Sequence, residues 1–337
     1  MHVESQAGEP SARRLDGARR EVLGSGGDHV GGSARTGVAK DFVLVLVAWL
    51  EFVATDECEW TVHGQHSLHP SGKTGAPSAS PYTLTSLMMD PEKYAAATVV
   101  SRRDLAPDLW IIRIRTDSEL PYRPGQYVTL GLASNGKIVE RPYSICSSPL
   151  EDEIELFIER VPDGELSDPL FAVGVGGELI VRRRTKGLFL REAPLLDEPH
   201  LFVATVTGIA PFVSLLRTLA SRARAGDWSP VPIVTLQGAA RSVELGFADE
   251  LVALAEEFSW FTYVPTVSRP WEDPEWRGEW GRVEDVMRKY ADAAGMRPGS
   301  GGIFLCGHPG MISGGRAIMR RAGFDNKAIR EEQYWPD

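Results

Sequence analysis

Cysteine is scarce in this chain of 337 residues: Cys58, Cys146 and Cys306 are the whole complement. Three thiols so far apart cannot form a disulfide framework, and a reducing, cytoplasmic setting is expected. They also exclude a fused plant-type iron–sulfur module, which needs four cysteines in close spacing. Any such cluster must sit on a separate partner. Positive charge is short as well, with 36 Lys and Arg against 46 Asp and Glu, a net −10. That balance argues against nucleic acid, whose phosphates demand clustered basic surface. Long apolar runs are missing. Phe42 to Ala54, broken by Glu51, falls short of the roughly 20 residues a membrane span needs. It lies too far from the start for a signal peptide and lacks a small-residue cleavage site. No metal site is expected. His63, His66 and His69 share a spacing of three, but the Ser and Gly around them offer no scaffold.

Residues 1–40 and 63–81 are rich in Gly, Ser and other small or polar residues, too polar to offset chain entropy by burial. Met88-Met89-Asp90 stands just before the first recognisable strand. Residues 1–89 are therefore expected to be a disordered or mis-called N-terminal extension, with the biological start near Met88 or Met89. From Tyr94 the texture changes to short β-branched segments such as Leu109 to Arg115, Tyr127 to Leu130 and Ile154 to Glu159, punctuated by Pro, Gly and Asp. This spacing predicts an antiparallel β-barrel over 90–195, with one helix from Glu165 to Val173. After a Pro-containing linker, 196–337 alternates strand and helix. Helices are expected over Pro211 to Arg224, Glu244 to Phe258 and Val283 to Tyr290, and a strand over Trp260 to Val264. Such alternation predicts an α/β doubly wound parallel sheet that binds ligands at the carboxyl ends of its strands.

Two segments carry the chemistry. In Arg141-Pro142-Tyr143-Ser144 a permanent cation, an aromatic ring and a hydroxyl share one strand. The planar Arg141 guanidinium suits phosphate oxygens, the Tyr143 ring suits the face of a flavin, and Ser144 offers a hydroxyl to its edge. Gly164-Glu165-Leu166-Ser167 opens the expected helix, where free amides can face a phosphate. Further on, Thr205-Val206-Thr207-Gly208-Ile209-Ala210-Pro211-Phe212 places a small turn between an apolar strand and a helix. Such a turn presents backbone amides to a phosphate. In Cys306-Gly307-His308-Pro309-Gly310-Met311, small residues after a buried strand let a flat ring approach closely.

The order of these motifs, with the closing Glu332-Gln333-Tyr334-Trp335, resembles the ferredoxin–NADP reductases of bacteria over about residues 92–337. The resemblance implies FAD and NADP(H) as cofactors, with hydride passing between NADPH and flavin N5, and electrons passing singly to or from ferredoxin or flavodoxin. It assigns FAD to Arg141, Pro142, Tyr143, Ser144, Phe157, Ile158, Gly164, Leu166 and Ser167, and to Tyr334 or Trp335 as the aromatic cover. It assigns NADP to Thr207, Gly208, Cys306 and Gly307, and the 2′-phosphate to Arg241, Ser268, Arg269 and Arg282. Ser144 and Cys306 become the residues nearest the reacting atoms, and Glu332 a further acidic neighbour. One departure stands out: Val206 replaces the first glycine of the family's G-T-G-x-A-P-F, so a differently shaped site is expected. Taken singly, each arginine could merely pair with a carboxylate such as Glu244, Asp273 or Glu284. The same fold also serves NADH-linked reductase components of oxygenases and cytochrome b5 reductase-like enzymes. A non-catalytic flavin subunit is a third option, but the cysteine cluster of that type is missing. For an acidic ferredoxin, Arg102, Arg103, Arg113, Arg115 and Lys137 are candidate contacts.

Overall fold

The computed structural model describes residues 90–134, 137–190, 198–228 and 231–334. The expectations for residues 1–89 and for Trp335 lie outside them. Six strands form the first sheet: β1 (Tyr94–Ala106), β2 (Leu109–Thr116), β3 (Tyr127–Ser134), β4 (Lys137–Ser144), β5 (Ile154–Glu159) and β6 (Glu178–Arg182). They run in the order β4-β3-β6-β1-β2-β5, antiparallel throughout. Ile145, just past β4, bridges Leu156 of β5 and closes the sheet on itself. The alternation Trp110, Ile112, Ile114 and Leu156, Ile158 points one face inward, and these side chains are fully buried together.

The helix within this unit is shorter than the sequence suggests. Helix α1 spans Ser167–Phe171 only. Leu166 is drawn into the barrel core, and the Ser167 hydroxyl accepts the Val161 N–H at 3.0 Å, so the preceding turn is anchored to β5 and cannot extend the helix.

The second sheet is parallel, in the order β10-β9-β8-β7-β11-β12. Its strands are β7 (His200–Thr205), β8 (Ile233–Ala239), β9 (Phe261–Val267), β10 (Glu279–Trp280), β11 (Gly302–Gly307) and β12 (Ile329–Gln333). Helices α2 (Ala210–Ala225), α3 (Ala248–Glu257), α4 (Val283–Ala293) and α5 (Pro309–Arg321) connect them. Helix α3 begins four residues later than Glu244, because Phe247 has φ +67 and a left-handed residue cannot continue a right-handed helix. Among the described residues no helix is long and apolar enough to cross a membrane.

One apolar cluster joins the two sheets. Leu109, Ile111 and Phe157 of the barrel pack with Phe202, Phe212 and Phe247 of the parallel-sheet unit. Phe202 and Phe212 stack at 4.7 Å, and Phe157 meets Phe247 edge-on at 5.7 Å. A polar seam runs beside it. Arg217 of α2 reaches Glu155 of β5 at 2.8 Å and Glu250 of α3 at 2.6 Å. Ser214 donates to the Ser147 carbonyl at 2.6 Å. The barrel and the parallel sheet thus share both core and charge.

Candidate active site

Strand order decides where ligands go. From β7 the chain moves outward through β8 to β10, then returns to lay β11 on the other side of β7. Loops after β7 and β11 therefore diverge, leaving a crevice beyond their carboxyl ends. Backbone closeness defines that crevice. A Cβ on Gly208 would overlap the Cys306 carbonyl oxygen and stand 2.7 Å from its carbon and 2.9 Å from Gly307 Cα. Gly307 has φ +124, and a Cβ there would overlap Thr205 Oγ1. The Thr205 hydroxyl in turn accepts the His308 N–H at 2.8 Å. His308 caps α5, its Nδ1 accepting from Gly310 N–H at 3.0 Å, a structural task. Val206 opens the short 3-10 turn Val206–Ile209 with φ +43. A left-handed backbone costs an L-residue about 1–2 kcal/mol. Its side chain packs against both the main cluster and the Ala239, Leu245 and Val267 group, contacts a glycine would forfeit.

Strand β4 brings the barrel to this crevice. Ser144 is buried, and its hydroxyl donates to Glu332 Oε1 at 3.1 Å, across 188 residues of chain. Glu332 lies on β12 directly opposite Cys306 of β11 in the parallel register. Tyr334 follows, its hydroxyl buried beside the Cys306 thiol and the Ser144 hydroxyl. Burial pushes the Cys306 thiol and the Tyr334 phenol well above their ordinary values. Tyr143 is half-buried, and burial pushes its phenol up to about 12 against the opposing charge of Arg141. Ser144, Cys306, Glu332 and Tyr334 thus meet in one place, drawn from both sheets.

Glu332 carries a prediction. Burial pushes its carboxyl from 4.5 up to about 7, with the Ser144 hydrogen bond opposing. A raised folded-state value means the protonated form is favoured on folding. Its contribution is full below about 4.5 and lost as pH rises through about 7. Glu332→Gln removes this titration, so relative to wild type its unfolding midpoint should rise between pH 4.5 and about pH 7 and level off above. A midpoint difference that stays constant across that range would contradict the assignment.

The remaining flavin candidates frame the same strand. Arg141 donates to Glu165 Oε2 at 2.9 Å and to its neighbour's carbonyl at 2.8 Å, which ties β4 to the Gly164–Ser167 turn. Pro142 is exposed beside it. A Cβ on Gly164 would stand 2.5 Å from Ser167 Oγ, so that turn requires glycine. Phe157 and Ile158 are both buried: Ile158 belongs to the barrel core, while Phe157 joins the cluster shared by both sheets.

Of the four residues expected at a 2′-phosphate, Arg241 follows β8, Ser268 and Arg269 follow β9, and Arg282 follows β10. Ser268 and Arg269 donate their N–H groups to the Ala239 and Ala240 carbonyls at 2.9 and 3.0 Å, fastening those loops together. Thr207 lies in the 3-10 turn beside them. Each arginine has a carboxylate: Arg241 meets Glu244 at 2.8 Å, Arg269 meets Glu272 at 3.6 Å, and Arg282 meets Glu284 at 3.7 Å.

The barrel residues 96–187 match the family model of the oxidoreductase FAD-binding domain, and residues 202–316 that of the oxidoreductase NAD-binding domain. The ferredoxin–NADP reductase B of Sorangium cellulosum is 34% identical over 220 residues, 63% of this chain and 85% of that relative. The flavodoxin/ferredoxin–NADP reductase of Rhodobacter capsulatus is 31% identical over 227 residues, 63% of this chain and 80% of the relative. The chain belongs to the ferredoxin–NADP reductase family. A crystal structure of a family member from Neisseria gonorrhoeae superposes with a TM-score of 0.62 at 23% identity, over 72% of this chain and 99% of that one, which supports the fold.

The residues present fit the reductase cofactors. The buried hydroxyls of Ser144 and Tyr334 and the glycines at 208 and 307 mark a polar, closely walled crevice at the switch point. Arg141 has one third of its side chain exposed, beside a Glu165 carboxylate that is 73% exposed, so it can turn from that partner to a phosphate. Glu332, expected from the resemblance as an acidic neighbour, takes its place opposite Cys306 through the β11–β12 register. The Arg217 seam escapes sequence reasoning, because it forms only through domain packing. Three of the candidate ferredoxin contacts are ion-paired. Arg102 is held by Asp104 and by the Phe171 and Val173 carbonyls, Arg113 by Glu155 and Glu151, and Arg115 by Glu153. Three of those five cations thus have carboxylate partners in the structure.

Proposed function

We propose that this chain is an FAD-dependent ferredoxin (flavodoxin)–NADP reductase. The observation that carries the reading is the meeting of Ser144 from the barrel with Cys306 and Glu332 from the parallel sheet, beyond the strand ends where the order reverses. When bound, FAD supplies the exchange between two-electron hydride chemistry and single-electron transfer. The side chains do the holding and shaping. Arg141, with the Gly164–Ser167 turn, binds the flavin pyrophosphate; Tyr143 lies against the ring; Ser144 presents its hydroxyl to the ring edge. Glu332 accepts the Ser144 hydrogen bond and holds or releases a proton near neutral pH. Gly208 and Gly307 let the nicotinamide approach against Cys306. Tyr334 covers the same space and excludes water from it. Thr207, Arg241, Ser268, Arg269 and Arg282 take the adenosine end with its 2′-phosphate.

The test is electron delivery. FAD-loaded protein supplied with NADPH is expected to reduce a plant-type ferredoxin or a flavodoxin in a stopped-flow assay. Reduction of neither, with ready reduction of an oxygenase component from NADH, would replace this reading by the oxygenase-reductase one.

A further inference from the structure

The 2′-phosphate region is more acidic than its arginines suggest. Arg241 follows β8 and donates through both Nε and Nη2 to Glu244 Oε1, at 3.0 and 2.8 Å. Glu244 is itself fixed. Its Oε2 accepts the Ala240 N–H at 3.0 Å and the Arg241 N–H at 3.3 Å, and only 15% of its side chain is exposed. Glu272 and Asp273 also act on Arg241, and Asp273 is pinned by the Ser242 N–H at 2.7 Å. Arg269 shares Glu272 at the looser 3.6 Å. Two cations therefore stand among three carboxylates.

We infer that Glu244 is a specificity-determining residue, a carboxylate that competes with the 2′-phosphate for Arg241 and so moderates the preference for NADPH over NADH. The inference rests on the reading of Arg241 as a 2′-phosphate partner. A phosphate arriving at Arg241 either displaces Glu244 from Nε and Nη2 or takes the three remaining N–H groups of the guanidinium, and in both cases it meets the negative charge of Glu244. An unphosphorylated ribose meets neither obstacle. Glu244 cannot swing far, because its second oxygen holds two backbone amides of the same turn. Glutamine in its place would still accept those amide hydrogens through its carbonyl, but it would release the guanidinium and remove one negative charge.

The experiment is calorimetric binding of adenosine 2′,5′-bisphosphate and of 5′-AMP to the full FAD-loaded chain, for wild type, Glu244→Gln and Arg241→Ala. Glu244→Gln is expected to bind the bisphosphate about tenfold more tightly and 5′-AMP as wild type does. Arg241→Ala should weaken the bisphosphate alone. If wild type favours the bisphosphate and Glu244→Gln binds it no better, the inference is overturned while the NADP reading stands. If wild type shows no preference and Glu244→Gln creates one, the NADP reading fails and the inference holds. If neither protein distinguishes the two ligands, both fall. A gain for 5′-AMP equal to that for the bisphosphate would also overturn the inference, since the effect would not concern the 2′-phosphate.

Discussion

Arg217→Ala should lower the free energy of unfolding by about 3–5 kcal/mol, the usual result of stripping a buried charge of its partner. Arg217 is 14% exposed and Glu155 only 8%. Burial works against the guanidinium charge, yet hydrogen bonding to Glu250 and the charges of Glu155, Glu250 and Glu151 together hold it above its ordinary value. Without Arg217, Glu155 keeps only Arg113, at 2.8 Å from its other oxygen. The seam also ties α2 to the barrel, so the junction between β6 and β7 should become easier to cleave. Urea unfolding of the full chain, followed by limited proteolysis, measures both effects. A loss under about 1 kcal/mol would mean that the pair behaves as an exposed one.

Gly208→Ala is the second large effect, and it concerns the crevice itself. The new methyl would meet backbone on two sides, Cys306 and Gly307, neither of which can yield as a flexible side chain would. The turn after β7 must then move away from β11. A displacement of about 1 Å in a positioning element can lower a rate about 10²-fold. Flavin reduction by NADPH should fall by that order, while flavin content, which depends on β4 and the Gly164–Ser167 turn, stays near wild type. Single-turnover kinetics at matched flavin absorbance separates the two. A rate within about threefold of wild type would show that the turn has slack the close contacts deny.

Much of this architecture was legible in the chain. The period-two alternation of Trp110, Ile112 and Ile114, and the apolar runs at β7, β8 and β11, specify a barrel and a buried parallel sheet on physical grounds alone. The turn at Thr205 to Phe212 and the small residues after Cys306 locate the switch point, because only residues without bulk let two strand ends come so near. Other features depend on contacts between distant segments. Glu332 is expected near the reacting atoms only from the resemblance of the tail, and it is the pairing of Ile329–Gln333 with β11 that sets it beside Cys306. Glu155 occupies an ordinary outward position in Ile-Glu-Leu-Phe-Ile-Glu, yet α2 covers that face and buries it. Pairing of Arg113 and Arg115 is hidden for a related reason: acids come to lie opposite them only in the folded sheet. The Arg241–Glu244 pair, three residues apart, is by contrast within reach of the sequence.

The central claim is that the barrel holds FAD at a site where NADPH can reduce it. The most direct test is the absorbance spectrum of the purified chain, loaded with FAD and titrated with NADPH in the absence of oxygen. A two-banded flavin spectrum that bleaches on addition of NADPH is the predicted result. A protein that remains colourless in excess FAD, or a bound flavin that NADPH leaves oxidised, would contradict it.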